Sequence, residues 1–154
     1  MMKEMREILF RGKRMDNGEW VEGFPYITHG GEHQIRYYDS ESNIENCSHT
    51  VIPDTLGRFT GLTDRNGVKI FKGDIIRWHD NTELSVSGQI AEVCYGRYRD
   101  ADSAFDDVYA IGFYLRTSGG ECVTICWLDE YKNNFDIIGN IYDNLELLGV
   151  SSDE

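Results

Sequence analysis

Apolar residues in this chain come in short runs rather than long ones. "EILFRG", "EWVEGF", "HQIRYY", "HTVI", "DIIRWH", "GQIAEVCYG", "YAIGFYL", "ECVTICWL" and "FDIIGNIY" are rich in Ile, Val and aromatics and are separated by Gly, Asn, Asp and Ser. That is the composition of strands bounded by turns, and it predicts a mainly β fold. Side chains alternate between the two faces of a strand, so in "CVTICW" Cys122, Thr124 and Cys126 share one face and Val123, Ile125 and Trp127 the other. The Val/Ile/Trp face is expected inside. In "IIRW" the same rule places Ile76 and Trp78 together, opposite Ile75 and Arg77, and predicts burial on the Ile76/Trp78 side. Helical signals amount to one or two short turns, at "LDEYKN" (Leu128 to Asn133) and "NLELL" (Asn144 to Leu148).

The densest punctuation lies in "TGLTDRNGVKIFKGDIIRW", Thr60 to Trp78. Asp64-Arg65-Asn66-Gly67 is turn chemistry, in which Asn and Gly supply positive φ and the Asp side chain closes an Asx-turn. Lys72-Gly73-Asp74 is a second tight reversal. Two turns and a strand account for every Asp and Gly in the stretch, so backbone bending explains it without a ligand. Upstream, "VIPDTLG" (Val51 to Gly57) reads as a joint, because Ile52 before a proline is held extended and turn formers follow. A lobe boundary near 52–57 follows, within a single domain over 1–154.

Size and charge narrow the function. A chain of 154 residues builds one core, and seven Phe, nine Tyr and three Trp mark it as folded rather than disordered. The net charge of −12 is uneven: residues 100–154 carry two basic and twelve acidic side chains, whereas residues 1–20 carry five and four. Nucleic-acid binding needs clustered Lys and Arg, and "RGKR" at Arg11 to Arg14 is the one short basic run, so a DNA-binding role is disfavoured. No run of about 20 apolar residues spans a membrane, and "MMKEMREILF" lacks the apolar core and cleavage site of a signal peptide. A cytoplasmic protein is expected. Its four cysteines, Cys47, Cys94, Cys122 and Cys126, are too irregular for a disulfide framework and stay thiols in a reducing compartment.

Several constellations invite chemistry and fail on spacing. Cys122 and Cys126 on one strand have Cα atoms about 13 Å apart at ~3.3 Å per residue, too far to share a zinc ion, and Cys47-Ser-His49 is a lone C-x-H. His29-Gly-Gly-Glu-His33 is a hairpin connection rather than a helical H-E-x-x-H, and no nucleophile elbow surrounds any cysteine for His29, His33, His49 or His79 to serve as base. Asp100, Asp102, Asp106 and Asp107 lack the glycine and closing glutamate of a calcium loop, and Gly119-Gly120 has no G-K-[ST] after it. No metal, cofactor or catalytic residue is therefore assigned.

Thr60-Gly61-Leu62, Asp64, Asn66-Gly67, Ile70 and Gly73-Asp74-Ile75-Ile76 resemble the central signature of the YopX family of phage and prophage proteins. "IIGNIYDNLELL" (Ile137 to Leu148) is similar to its closing motif, with Gly139 and Asn140 inside it. "MREILFRGK" from Met5 is similar to its opening one, and "VIPDTLGRFTGL" to the lead into the signature. The resemblance runs from Met5 to Leu148. It implies a β-rich fold with a barrel-like core, here residues 56–148 beside a smaller N-terminal β lobe at 5–52. It also implies a bacterial cytoplasm during phage or prophage expression, self-association, and no catalytic activity. Met1 to Glu4 precede its usual start, as an upstream initiation codon or an added segment would leave them, and the acidic "DADSAFDD" loop has no counterpart. Asp74 is expected to accept main-chain N–H bonds and lock a turn, and Asn140 to take left-handed geometry or cap the terminal turn.

The resulting reading is a non-enzymatic accessory protein that binds a host or phage protein and copies of itself. Tyr37, Tyr38, Tyr95 and Tyr98 are its expected interface, since Tyr is enriched in such contacts. The alternative is an acidic mimic of DNA that occupies a nucleic-acid-binding protein, for which solubility is the simpler account of the acid.

Overall fold

A computed structural model describes residues 8–39, 44–78, 89–100, 109–125 and 135–149. The chain divides into two compact units, Met1–Gly61 and Leu62–Glu154.

In the first unit β1 (Phe10–Lys13), β2 (Trp20–Ile27), β3 (His33–Asp39), β4 (Ile44–Thr50) and the start of β5 (Gly57–Thr63) lie side by side in the order β4-β3-β2-β1-β5, with antiparallel pairing. "HGGEH" is the β2–β3 connection. The sheet curls until the residues after β4 meet the end of β1: Met15 N–H donates to Thr50 O and Ile52 N–H to Lys13 O, both at 2.9 Å. Gly12 makes the closure possible, because a Cβ there would stand 3.1 Å from Ile35 and Val51, both fully buried. A 3-10 turn at Pro53–Thr55 follows, where the buried Thr55 hydroxyl accepts from Lys13 N–H (2.9 Å) and donates to Ile52 O (2.6 Å).

The second unit holds the end of β5, β6 (Lys69–Phe71), β7 (Asp74–Trp78), β8 (Ile90–Arg99), β9 (Tyr109–Thr117), β10 (Cys122–Thr124) and β11 (Phe135–Asn140). Five of these form an antiparallel sheet in the order β10-β9-β8-β7-β11. Ile76, Trp78, Ala91, Val93, Leu115, Val123 and Phe135 on one face pack with Ile70 into the main core. Burying aromatic and branched side chains of this size is worth roughly 1.5–3 kcal/mol each. Val123 is on the inner face, as alternation predicts. Ile75, expected on the open side of β7, is fully buried as well.

The fold is thus mainly β, with two antiparallel sheets and, among the described residues, no helix beyond 3-10 turns at Pro53–Thr55 and Leu145–Leu148. The barrel-like description of 56–148 is not confirmed. Among the described residues β10 and β11 are unjoined edges of an open sheet. Trp127, Cys126 and the "LDEYKN" turn lie outside the described residues. No helix among the described residues is long and apolar enough to cross a membrane.

Candidate functional site

The polar residues of the central stretch are spent on main chain. Asp64, 5% exposed, accepts three N–H bonds: Asn66 and Val68 donate to Oδ1 (2.8 and 2.9 Å), and Ile137 of β11 donates to Oδ2 (3.3 Å). A carboxylate with this many donors acts as the keystone of its turn. Asn66 and Arg65 reach across from the same turn to Asp136 Oδ1, at 3.0 and 2.8 Å. Gly67 has φ +80°. Asp74, 1% exposed, accepts Phe71 N–H at 2.7 Å across the second reversal, where Gly73 has φ +94° and a Cβ would strike Tyr142 at 2.9 Å. Thr60 is buried and Gly61, at φ +87°, follows it in β5. At the chain's end Asn140 Oδ1 accepts from Tyr142 N–H (3.0 Å) and Asp143 N–H (2.9 Å), while Asn144 fills the space a side chain on Gly139 would need. Asp64, Asn66 and Asp136 meet in one network and Gly73 meets Tyr142. Every carboxylate and amide so placed already holds a main-chain or side-chain donor.

The four tyrosines separate. Tyr98, expected on the surface, is buried at 9% exposure and stacks on Tyr114 at 4.7 Å in a small cluster with Cys94. Tyr37 is half-buried, with its ring against His49 and its hydroxyl 2.9 Å from His49 Nε2. The Tyr38 side chain lies outside the described residues. Tyr95 is 48% exposed and is the one of the four that faces solvent broadly among those described.

Tyr95 sits in an arm. β7 pairs with β8 only at Ile90–Glu92, and β10 pairs with β9 only at Tyr114–Arg116, so among the described residues 95–99 and 109–113 pair with each other alone. The register is unbroken through Gly96 opposite Gly112, whose φ values of +148° and +156° are open to glycine. This pair lets the ladder curl toward the Cys94 face, where Tyr98 and Tyr114 stack although they are four residues out of register. The other face continues the core side of the sheet outward: Tyr95 opposite Phe113, Arg97 opposite Ile111, Arg99 opposite Tyr109. Ile111 is 79% and Tyr109 54% exposed. Tyr95 and Phe113 meet edge to face at 4.9 Å, and the Arg97 guanidinium lies 4.3 Å over the Tyr109 ring.

The model of the YopX family, described as YopX protein, matches residues 9–149. The chain belongs to the YopX family. Among solved structures, protein EF1440 from Enterococcus faecalis is similar at 20% identity, with a TM-score of 0.49 over 94% of this chain and 99% of that one. No curated protein matches the chain.

Cys94 and Cys122 of this YopX-family chain are placed for packing. Cys94, Tyr98 and Tyr114 form the cluster on the sheet's second face, and Cys94 Sγ lies 3.3 Å from Glu92 Oε2. Burial and then the Glu92 carboxylate push the Cys94 thiol up to about 12, which leaves it protonated and a poor nucleophile. Below the ordinary value near 9 its contribution to stability is whole, and it is lost as pH rises from about 9 toward 12, because the unfolded chain ionises first. The unfolding midpoint is therefore expected to fall above pH 9 less steeply in Cys94→Ala than in the parent, read by denaturation at a series of alkaline pH values. Cys126, half of the zinc pair weighed above, lies outside the described residues.

The first unit has an open groove of about 460 Å³, lined by Met15, Glu32, Gln34, Ser48 and Thr50 among others. Its polar groups largely bond one another: Gln34 Nε2 donates to Thr50 Oγ1 (3.2 Å), Thr50 to Glu32 (3.3 Å), and Tyr26 Oη joins Gln34 and Ser48. Of the arm face, the sequence pointed to Tyr95 alone. The signal of the whole face is the period of two in "YGRYR" and "YAIGF", which places Tyr95, Arg97 and Arg99 on one side of one strand and Tyr109, Ile111 and Phe113 on one side of the next.

Proposed function

We propose that this protein is a phage- or prophage-derived, non-enzymatic accessory protein that works in the bacterial cytoplasm by binding another protein, its own copies included. The observation that supports binding of another protein is the arm. A row of Tyr, Phe, Ile and Arg on an exposed sheet face has the composition of interface cores, and soluble proteins seldom leave such side chains contiguous and open. The polar signature supports the non-enzymatic part of the reading, since its carboxylates are engaged by main-chain amides. DNA mimicry needs rows of acid, and among the described residues the arm face carries two arginines and no carboxylate.

A photo-reactive side chain placed at position 111 in cells of the native host tests this. Cross-linking to a protein, lost when Tyr95 and Tyr109 are changed to Ser, is the expected result. A position 111 that cross-links to nothing, or equally well in the double variant, removes the support.

A further inference from the structure

We infer that the arm face takes a short segment of a different protein, in which carboxylates are interleaved with apolar side chains. The inference rests on the protein-binding reading and adds the partner's chemistry to it. Arg97 is the deciding residue. Its guanidinium is held over Tyr109 and has no ion-pair partner among the described residues, so it presents positive charge in the middle of an apolar patch. Arg99 stands on the same side of β8.

A second copy meeting this face about a two-fold axis fits poorly. An isologous contact brings the same patch against itself, so the Arg97 side chains of both copies would share one small patch with their water removed. Like charges in that position cost several kcal/mol by the usual scale for interfaces. A carboxylate in the same place gains a charge-assisted bond.

The size of the patch limits the partner. Three side chains exposed to roughly half or more, with Phe113 beside them, offer on the order of 400 Å² of apolar surface. A standard interface takes about 800 Å² from each partner, so the face suits one strand or one helix turn rather than a broad domain surface. Single-stranded nucleic acid also stacks on Tyr and Phe and pairs with Arg. It further needs a basic groove along its backbone, and a chain of net charge −12 with two arginines at the site does not supply one.

Panning a random-peptide display library against the full chain, with the Ile111→Lys chain used for subtraction, tests the inference. Recovered peptides should be enriched in Asp and Glu between Phe, Leu or Tyr. Their affinity should fall about tenfold in Arg97→Gln, and fall further as salt rises. Arg97→Gln should melt with the parent, which separates binding from folding. Neutral or basic peptides that bind the face would overturn the assigned chemistry while leaving protein binding intact. Recovery of no face-specific peptide overturns the inference too, as does tighter binding of a polythymidine strand or of a second copy to the same residues. If position 111 also fails to cross-link in cells, the broader reading goes with it.

Discussion

Asp64→Ala is expected to lower the unfolding free energy by about 3–4 kcal/mol, a large part of the 5–15 kcal/mol a domain of this size possesses. The carboxylate is nearly inaccessible and accepts three main-chain N–H groups. A hydrogen bond to a charged group contributes about 1.5–3 kcal/mol, and leaving a buried donor unpaired costs about 1–3 kcal/mol. Full addition of three such terms overstates the loss, because the Ile137 bond is long and water reaches part of the turn. Asp64→Asn separates the contributions. One amide oxygen can still receive Asn66 and Val68, but an NH2 group then faces the Ile137 N–H, so the cost should be about half that of Ala. Urea denaturation reads both as a shift in midpoint at constant slope. A midpoint hardly moved by Ala would mean that Asp64 is held for something other than the turn.

Gly23→Ala should cost more than about 3 kcal/mol, with the soluble yield falling accordingly. A Cβ built there comes within 2.3 Å of the Arg36 carbonyl oxygen and 2.9 Å of Ile35 Cγ2. The first of these is backbone on the neighbouring strand and cannot rotate away, so β2 and β3 must separate to admit the methyl group. Gly30→Ala in the connection between the same strands is the control. Its new atom would meet nothing closer than Thr28 Oγ1 at 3.9 Å, and its melting temperature should stay near the parent's. Equal effects at the two positions would show that the curl of the sheet, rather than local contact, sets the requirement for glycine.

Local features were legible in the sequence and distant ones were not. The turns at Asp64 to Gly67 and at Gly73 could be read because their chemistry lies within four residues, and Asp74 bonds to the Phe71 amide three residues away. The partners Asp136 and Ile137 lie some seventy residues from the Asp64 turn, and no pattern along the chain announces them. Tyr98 shows the same limit. Its composition suits a surface, and only the four-residue offset of its stack on Tyr114 puts it inside. The barrel-like core came from family resemblance, whereas the curl that is seen, at Gly12, lies in the N-terminal unit. Ile75 is buried although period-two alternation sets it opposite the Ile76/Trp78 face, since alternation does not encode what packs on each face of a sheet.

The Gly96–Gly112 pair divides the long hairpin into a root that belongs to the packed layer and an outer half that does not. Beyond the pair Tyr98 still packs on Tyr114, but substitutions on the opposite, exposed face alter what the outer half offers its surroundings at little expense to folding. Residues 97, 99, 109 and 111 can therefore change freely, while the positions around Val93 and Leu115 stay fixed by their neighbours.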